Sequence, residues 1–208
     1  MPSAISHKLR NGIWRAWPRH CFRSCQIATK NRWSLHKHQL ARLAKKFQAA
    51  CTTGLRKKLG LMEERSADRD LAHDLLGRMA ANAADFTLTF HYLAESAVNV
   101  AADDAVRRLF KDPSAFDSWA VKWRERLAVE GGTSAQRCEA MRRANPKYIP
   151  RNHRVEQALN AAVQRADWAP FERLLAVLAA PFDEQPENAI YAYPPSPEEV
   201  VQKTFCGT

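Results

Sequence analysis

The stretch Asp112-Pro113-Ser114-Ala115-Phe116-Asp117-Ser118-Trp119-Ala120-Val121-Lys122-Trp123-Arg124-Glu125-Arg126-Leu127 decides the fold class. Asp112 is a residue that caps helices, because its carboxylate can accept an N–H of the first turn. Pro113 then occupies a position where a missing N–H costs nothing. Phe116, Trp119, Trp123 and Leu127 follow at i, i+3, i+7 and i+11, which is one face of a helix. Gly131-Gly132 breaks the pattern. The stretch therefore predicts an amphipathic helix with an aromatic buried face, and core packing explains the Phe116/Trp119/Trp123 stripe better than a binding platform.

The same grammar extends in both directions. Upstream, Asp85 can cap a helix carrying Phe86, Phe90, Leu93 and Ala97, and Ser66 one carrying Leu71, Leu75, Leu76 and Met79. From His36 to Leu59 a helical period appears, with Leu40, Leu43, Phe47, Ala50 and Leu55 roughly on one face and Gly60 as its stop. Downstream, Thr133 or Ser134 opens a helix that ends near Asn145-Pro146. Ile149-Pro150 forces an extended step, since the residue before Pro is pushed out of the α region. Helices are expected over about 152–166, through Val155, Leu159 and Val163, and over about 170–179, through Phe171, Leu174, Leu175 and Leu178. Pro181, Pro186, Pro194, Pro195 and Pro197 then predict an extended strap. No segment alternates like a strand and no repeat is visible, so the expected class is all-α.

The charge is divided unevenly. The net charge is +10, yet 14 of the 32 Lys/Arg and none of the 22 Asp/Glu lie between Met1 and Met62. The remainder holds 18 Lys/Arg against all 22 acids and is mildly acidic. Residues 1 to about 35 show no clean period, and Trp14, Trp17 and Trp33 lie among Arg and His. This predicts two parts: an irregular basic arm over 1–45 and a helical region over 46–208. Such an arm can bind nucleic acid, with cations on phosphates and Trp stacked on bases, although no nucleic-acid module is recognisable. An anionic lipid surface is a weaker partner for it. No apolar run is long enough to cross a membrane. The N-terminus lacks an apolar secretory core, while an Arg-rich organellar leader remains a rival reading. Five cysteines, an odd number without a CxxC pair, fit reduced thiols in a cytoplasm-like compartment.

Three constellations invite chemistry. Arg151-Asn152-His153-Arg154 sets two guanidiniums, an amide and an imidazole beside a Pro-fixed turn, a set that can hold phosphate or carboxylate. The competing structural reading has Asn152 capping the next helix and Arg151 paired with acids such as Glu172 or Asp183. His20, Cys21, Cys25, His36 and His38 offer zinc donors, but their spacing matches no standard finger, and chance composition explains them better. Cys206, near the C-terminus, is a thiol that can respond to redox state.

Three motifs carry a family resemblance. They are Ala84-Asp85-Phe86-Thr87-Leu88-Thr89-Phe90, then Asn145-Pro146-Lys147-Tyr148-Ile149-Pro150-Arg151-Asn152-His153-Arg154-Val155-Glu156. The third runs from Pro170-Phe171-Glu172-Arg173-Leu174-Leu175 through Pro181-Phe182-Asp183-Glu184-Gln185-Pro186 to Thr204-Phe205-Cys206-Gly207-Thr208. In order and spacing they resemble the C-terminal part of selenoprotein O-like protein adenylyltransferases, over about Phe47 to Thr208. The resemblance implies a kinase-like parent fold that moves AMP from ATP to protein hydroxyls with Mg²⁺ or Mn²⁺. It also implies that Cys206 stands where relatives carry Cys or selenocysteine.

Such chemistry needs a phosphate loop, a Lys and Asp/Asn metal ligands, which the family keeps upstream of the similar region. Asp85-Phe86-Thr87 looks like a kinase metal motif on paper, but a helix cap followed by a core Phe is the better reading. No catalytic, cofactor-binding or metal-binding residue is therefore assigned here. The expected partner is the kinase-like core of the parent protein, with protein substrates reserved for the full-length enzyme. Residues 1–45 depart from the family and read as a frameshifted or misplaced start. A separate regulatory subunit that complements a catalytic fragment is a further expectation.

Overall fold

A computed structural model describes the backbone of residues 19–202 and the side chains of residues 39–202. Among these residues there is no strand, and eight α-helices carry the fold: α1 (Arg19–Lys58), α2 (Asp68–Asn82), α3 (Phe86–Ser96), α4 (Asp103–Arg107), α5 (Pro113–Ala128), α6 (Ser134–Ala144), α7 (Asn152–Arg165) and α8 (Ala169–Ala179). The chain divides into two units, residues 1–51 and 52–208.

In the first unit the expectation of an irregular arm needs correction from Arg19 onward, because α1 starts there and not near His36. Pro18 precedes it, and no proline and only one glycine, Gly54, lie within it. A helix nucleated in the periodic segment propagates backward at little cost per residue until a proline stops it. Leu40, Leu43 and Phe47 do share a face, but that face is 62–71% exposed.

The second unit is built on the aromatic stripe of α5. Phe116, Trp119 and Trp123 are fully buried and Leu127 nearly so, among Leu59, Leu75, Phe90, Leu93 and Met141. The Trp119 and Trp123 rings stack with centroids 5.3 Å apart. Their indole N–H groups donate to the Leu71 carbonyl at 2.9 Å and the Leu59 carbonyl at 3.0 Å. Two large polar-tipped side chains are thus buried without an unpaired donor. Gly60 turns the chain out of α1 at φ +73°, and a Cβ there would stand 2.7 Å from the Met141 sulfur. That position needs glycine both for conformation and for space.

The caps follow the sequence where the signal is local. Asp85 accepts from the Leu88 N–H, Asp112 from the Ser114 N–H, and Thr133 forms a reciprocal capping box with Gln136. Ser66 does not cap α2; Ala67 holds that position without a side-chain bond. Asp68 orders the entry instead. Its buried carboxylate accepts from the Arg65 N–H at 2.9 Å and from Arg126 at 2.7 Å. The short α4 and the 3₁₀ turn Val100–Ala102 before it were not foreseen.

A smaller cluster of Leu88, Tyr148, Val177 and Ala192 brings together α3, the 145–151 segment, α8 and the tail. The tail is less extended than its prolines suggest, since Pro186–Tyr191 and Pro197–Glu199 form 3₁₀ turns. Proline fits the first turn of such a helix as well as an extended chain. In α7 the core face is Ala158 and Ala161, while Leu159 and Val163 of the expected apolar stripe are 44% and 84% exposed.

Candidate functional site

Arg151 stands at the extended residue before α7, where Ile149-Pro150 holds the chain out of helix. Its guanidinium meets Asp85 through two parallel bonds, Nη1 to Oδ2 at 2.6 Å and Nη2 to Oδ1 at 2.9 Å. Both side chains are largely buried, at 7% and 13% exposure. Asp85 also accepts the Leu88 N–H at 2.8 Å, so one carboxylate caps α3 and anchors the start of α7. Burial alone would push its carboxyl upward, but Arg151 and the backbone N–H groups hold it below the usual carboxylate range. The partner expected among Glu172 and Asp183 is therefore Asp85. Asn152 is the first residue of α7, exposed, and not its cap.

His153 is 3% exposed, and its Nε2 has no hydrogen-bond partner. Burial, then the neighbouring Arg154, lowers its pKa, which keeps the ring neutral. Arg154 donates to Gln157 at 2.8 Å and reaches Glu199 at 3.5 Å, tying α7 to the tail. The four-residue motif thus spends one guanidinium on α3 and the other on the tail. The Nε atoms of both guanidiniums are buried without a hydrogen-bond partner.

A second cluster was not singled out in the sequence, because its members lie on separate elements. His91, Glu139, Arg142, Arg143, Phe182, Asp183 and Glu184 line a cavity of about 500 Å³. His91 Nε2 lies 3.2 Å from Glu184 Oε1, and Lys147 Nζ lies 2.5 Å from Glu184 Oε2. Burial lowers the His91 pKa despite Glu184. Burial would also lower the Lys147 pKa, but the bond to Glu184 raises it. Arg142 pairs with Glu95, and Arg143 with Glu139 at 2.8 Å. Each cation at the cavity already has a carboxylate; Glu184 fastens the tail to α3 and to Lys147, and Arg142 ties α6 to α3.

The Asp85-Phe86-Thr87 segment is the helix cap described above. Phe86, expected in the core, is 49% exposed and lies against Phe90 with ring centroids 4.8 Å apart. Among the described residues no three His, Cys, Asp or Glu side chains gather into a cluster able to hold a metal ion. Cys206 lies outside the described residues, as do Trp14, Trp17 and the side chains of His20, Cys21, Cys25, Trp33, His36 and His38. Of the described cysteines, Cys51 is exposed and Cys138 buried, both free. No helix among the described residues is long and apolar enough to cross a membrane.

Comparison with known proteins places this geometry. Residues 26–179 match the family of the protein adenylyltransferase SelO. The chain is 53% identical over 165 residues to the protein nucleotidyltransferase YdiU of Bradyrhizobium sp. (strain ORS 278), covering 79% of this chain and 33% of that protein. It is 54% identical over 162 residues to the same-named protein of Bradyrhizobium diazoefficiens, covering 78% and 33%. With that of Methylorubrum extorquens it shares 53% over 175 residues, covering 81% and 35%. The chain spans about a third of the length of these relatives. The matched region contains the Asp85–Arg151 clasp, the aromatic core of α5 and the α7–α8 pair, and on that match the chain belongs to the SelO family of protein adenylyltransferases.

Proposed function

We propose that this chain is the C-terminal helical part of a protein adenylyltransferase, and that it takes part in AMP transfer from ATP to protein hydroxyls only together with the kinase-like core of its family. The observation that carries the reading is the family match over residues 26–179 within relatives about three times as long. The arrangement of the described side chains supports it. The acids and cations at Arg151 and at the His91 cavity are paired with each other and join the helices to the tail. In this reading ATP, Mg²⁺ or Mn²⁺ and the protein substrates are bound by the core. By itself the chain transfers no AMP. The free thiols Cys51 and Cys138 fit a reducing, cytoplasm-like compartment. The test is transfer of labelled AMP to protein by the chain alone and by the chain co-expressed with the rest of a relative. Transfer by the chain alone would overturn the reading.

A second reading has one observation in its favour. Arg42, Lys45 and Lys46 are exposed on the acid-free helix α1, a surface suited to nucleic acid or an acidic partner. Binding to random-sequence DNA that falls steeply with salt and is lost on deletion of residues 1–45 would favour it. Salt-dependent affinity unchanged by that deletion would exclude it.

A further inference from the structure

Among the described residues, the helices α7 and α8 carry an apolar face that no other element covers. They are joined by the three residues Ala166–Trp168 and pack on each other as a hairpin.

The core face of the hairpin lies elsewhere on both helices. It is made by Ala158 and Ala161 of α7 and by Leu174 and Val177 of α8, all of them buried. Roughly 130–170° around each helix from that face, Leu159 is 44%, Val163 84% and Leu175 54% exposed, and Trp168 at the turn is 59% exposed. Isolated exposed apolar residues are ordinary. A cluster of four large ones on one pair of helices marks a surface made to be covered.

We infer that this face is the seat of the polypeptide that makes up the other two thirds of the family's chain. The inference rests on the family reading above. Two observations choose that occupant over a second copy. The family match ends at residue 179, the last residue of α8, so both helices lie within the family region. The relatives are about three times as long as the matched stretch, so the missing apolar complement has a place in the same protein there. The hairpin is also held firmly enough to present a fixed surface. The Arg151–Asp85 clasp anchors its start, and Val177 joins the cluster with Leu88, Tyr148 and Ala192.

The test co-expresses the full chain, carrying an affinity tag, with the remaining two thirds of the Bradyrhizobium sp. (strain ORS 278) relative as a separate polypeptide. The two are expected to co-purify. The double variant Leu159→Glu/Val163→Glu, at exposed positions, is expected to weaken capture roughly tenfold or more. Val121→Glu, at a 58%-exposed position of α5, leaves it unchanged. Far-UV circular dichroism of each variant, matching that of the parent chain, shows that the fold survives.

Absence of co-purification overturns the inference, and so does capture that the double variant leaves intact. A chain that is dimeric alone and made monomeric by the double variant overturns it in favour of a second copy. AMP transfer is read separately on the same material. A complex formed through this face without transfer sinks the functional reading alone, and transfer that the double variant does not affect sinks the docking surface alone.

Discussion

Replacing Arg151 by Met removes the guanidinium and keeps most of the apolar stem. Asp85, 13% exposed in the parent chain, then keeps its backbone cap bond but has no countercharge. Breaking a buried ion pair from one side typically costs 3–5 kcal/mol. The remaining cap bond puts this site at the low end, about 3 kcal/mol. For a chain of this size that corresponds to a fall in Tm of roughly 6–12 °C. Asp85→Asn keeps a good cap residue and isolates the charge. In a double-mutant cycle the two changes should couple by about 2 kcal/mol.

The pH dependence has a definite sign. The Asp85 pKa is depressed in the folded chain, so its stabilisation is present above the unfolded value near ~3.9 and is lost as pH falls through the folded value. The parent chain should therefore keep this contribution at neutral pH and lose it only below the ordinary carboxylate range. Arg151→Met lifts the depression and moves the loss to higher pH. Thermal melts followed by circular dichroism between pH 2.5 and 7, values chosen to bracket the carboxylate range, read both effects. A coupling under about 0.5 kcal/mol, or an unchanged acid profile, would refute the assignment of Asp85–Arg151 as the clasp between α3 and α7.

Two further predictions concern the second unit and the thiols. Trp123→Phe leaves the Leu59 carbonyl without the indole donor that now lies 3.0 Å away, and should cost about 1–3 kcal/mol in a denaturant titration; a variant as stable as the parent would show that this bond contributes nothing. In the native chain a maleimide should label the exposed Cys51 well before Cys138. Burial, and then Glu95, raises the Cys138 pKa, and peptide masses after brief labelling check the order.

How much was legible in the sequence depended on the range of the interaction. Asp85, Asp112 and Thr133 were readable as caps because the bonded N–H lies two or three residues away. The α5 stripe was readable because one helix period contains it. The start of α1 was missed, since basic residues without an apolar rhythm still propagate a helix that begins elsewhere. Ser66 was a plausible cap by residue type, but Asp68, gripped by Arg126 from 58 residues away, decides that turn. The partner of Arg151 lies 66 residues upstream, and the acids near it in sequence were the natural but wrong candidates. The α7 stripe was read correctly as apolar. Its exposure was not readable, because periodicity reports that a face is apolar and says nothing of what covers it.

The most direct test of the central claim is transfer of labelled AMP from ATP to protein, with the chain alone and with the chain joined in cells by the remaining two thirds of a 53%-identical relative. The account predicts no label from the chain alone and label above the partner's own background from the pair. Label from the chain alone, or no gain when the chain is added, would contradict it.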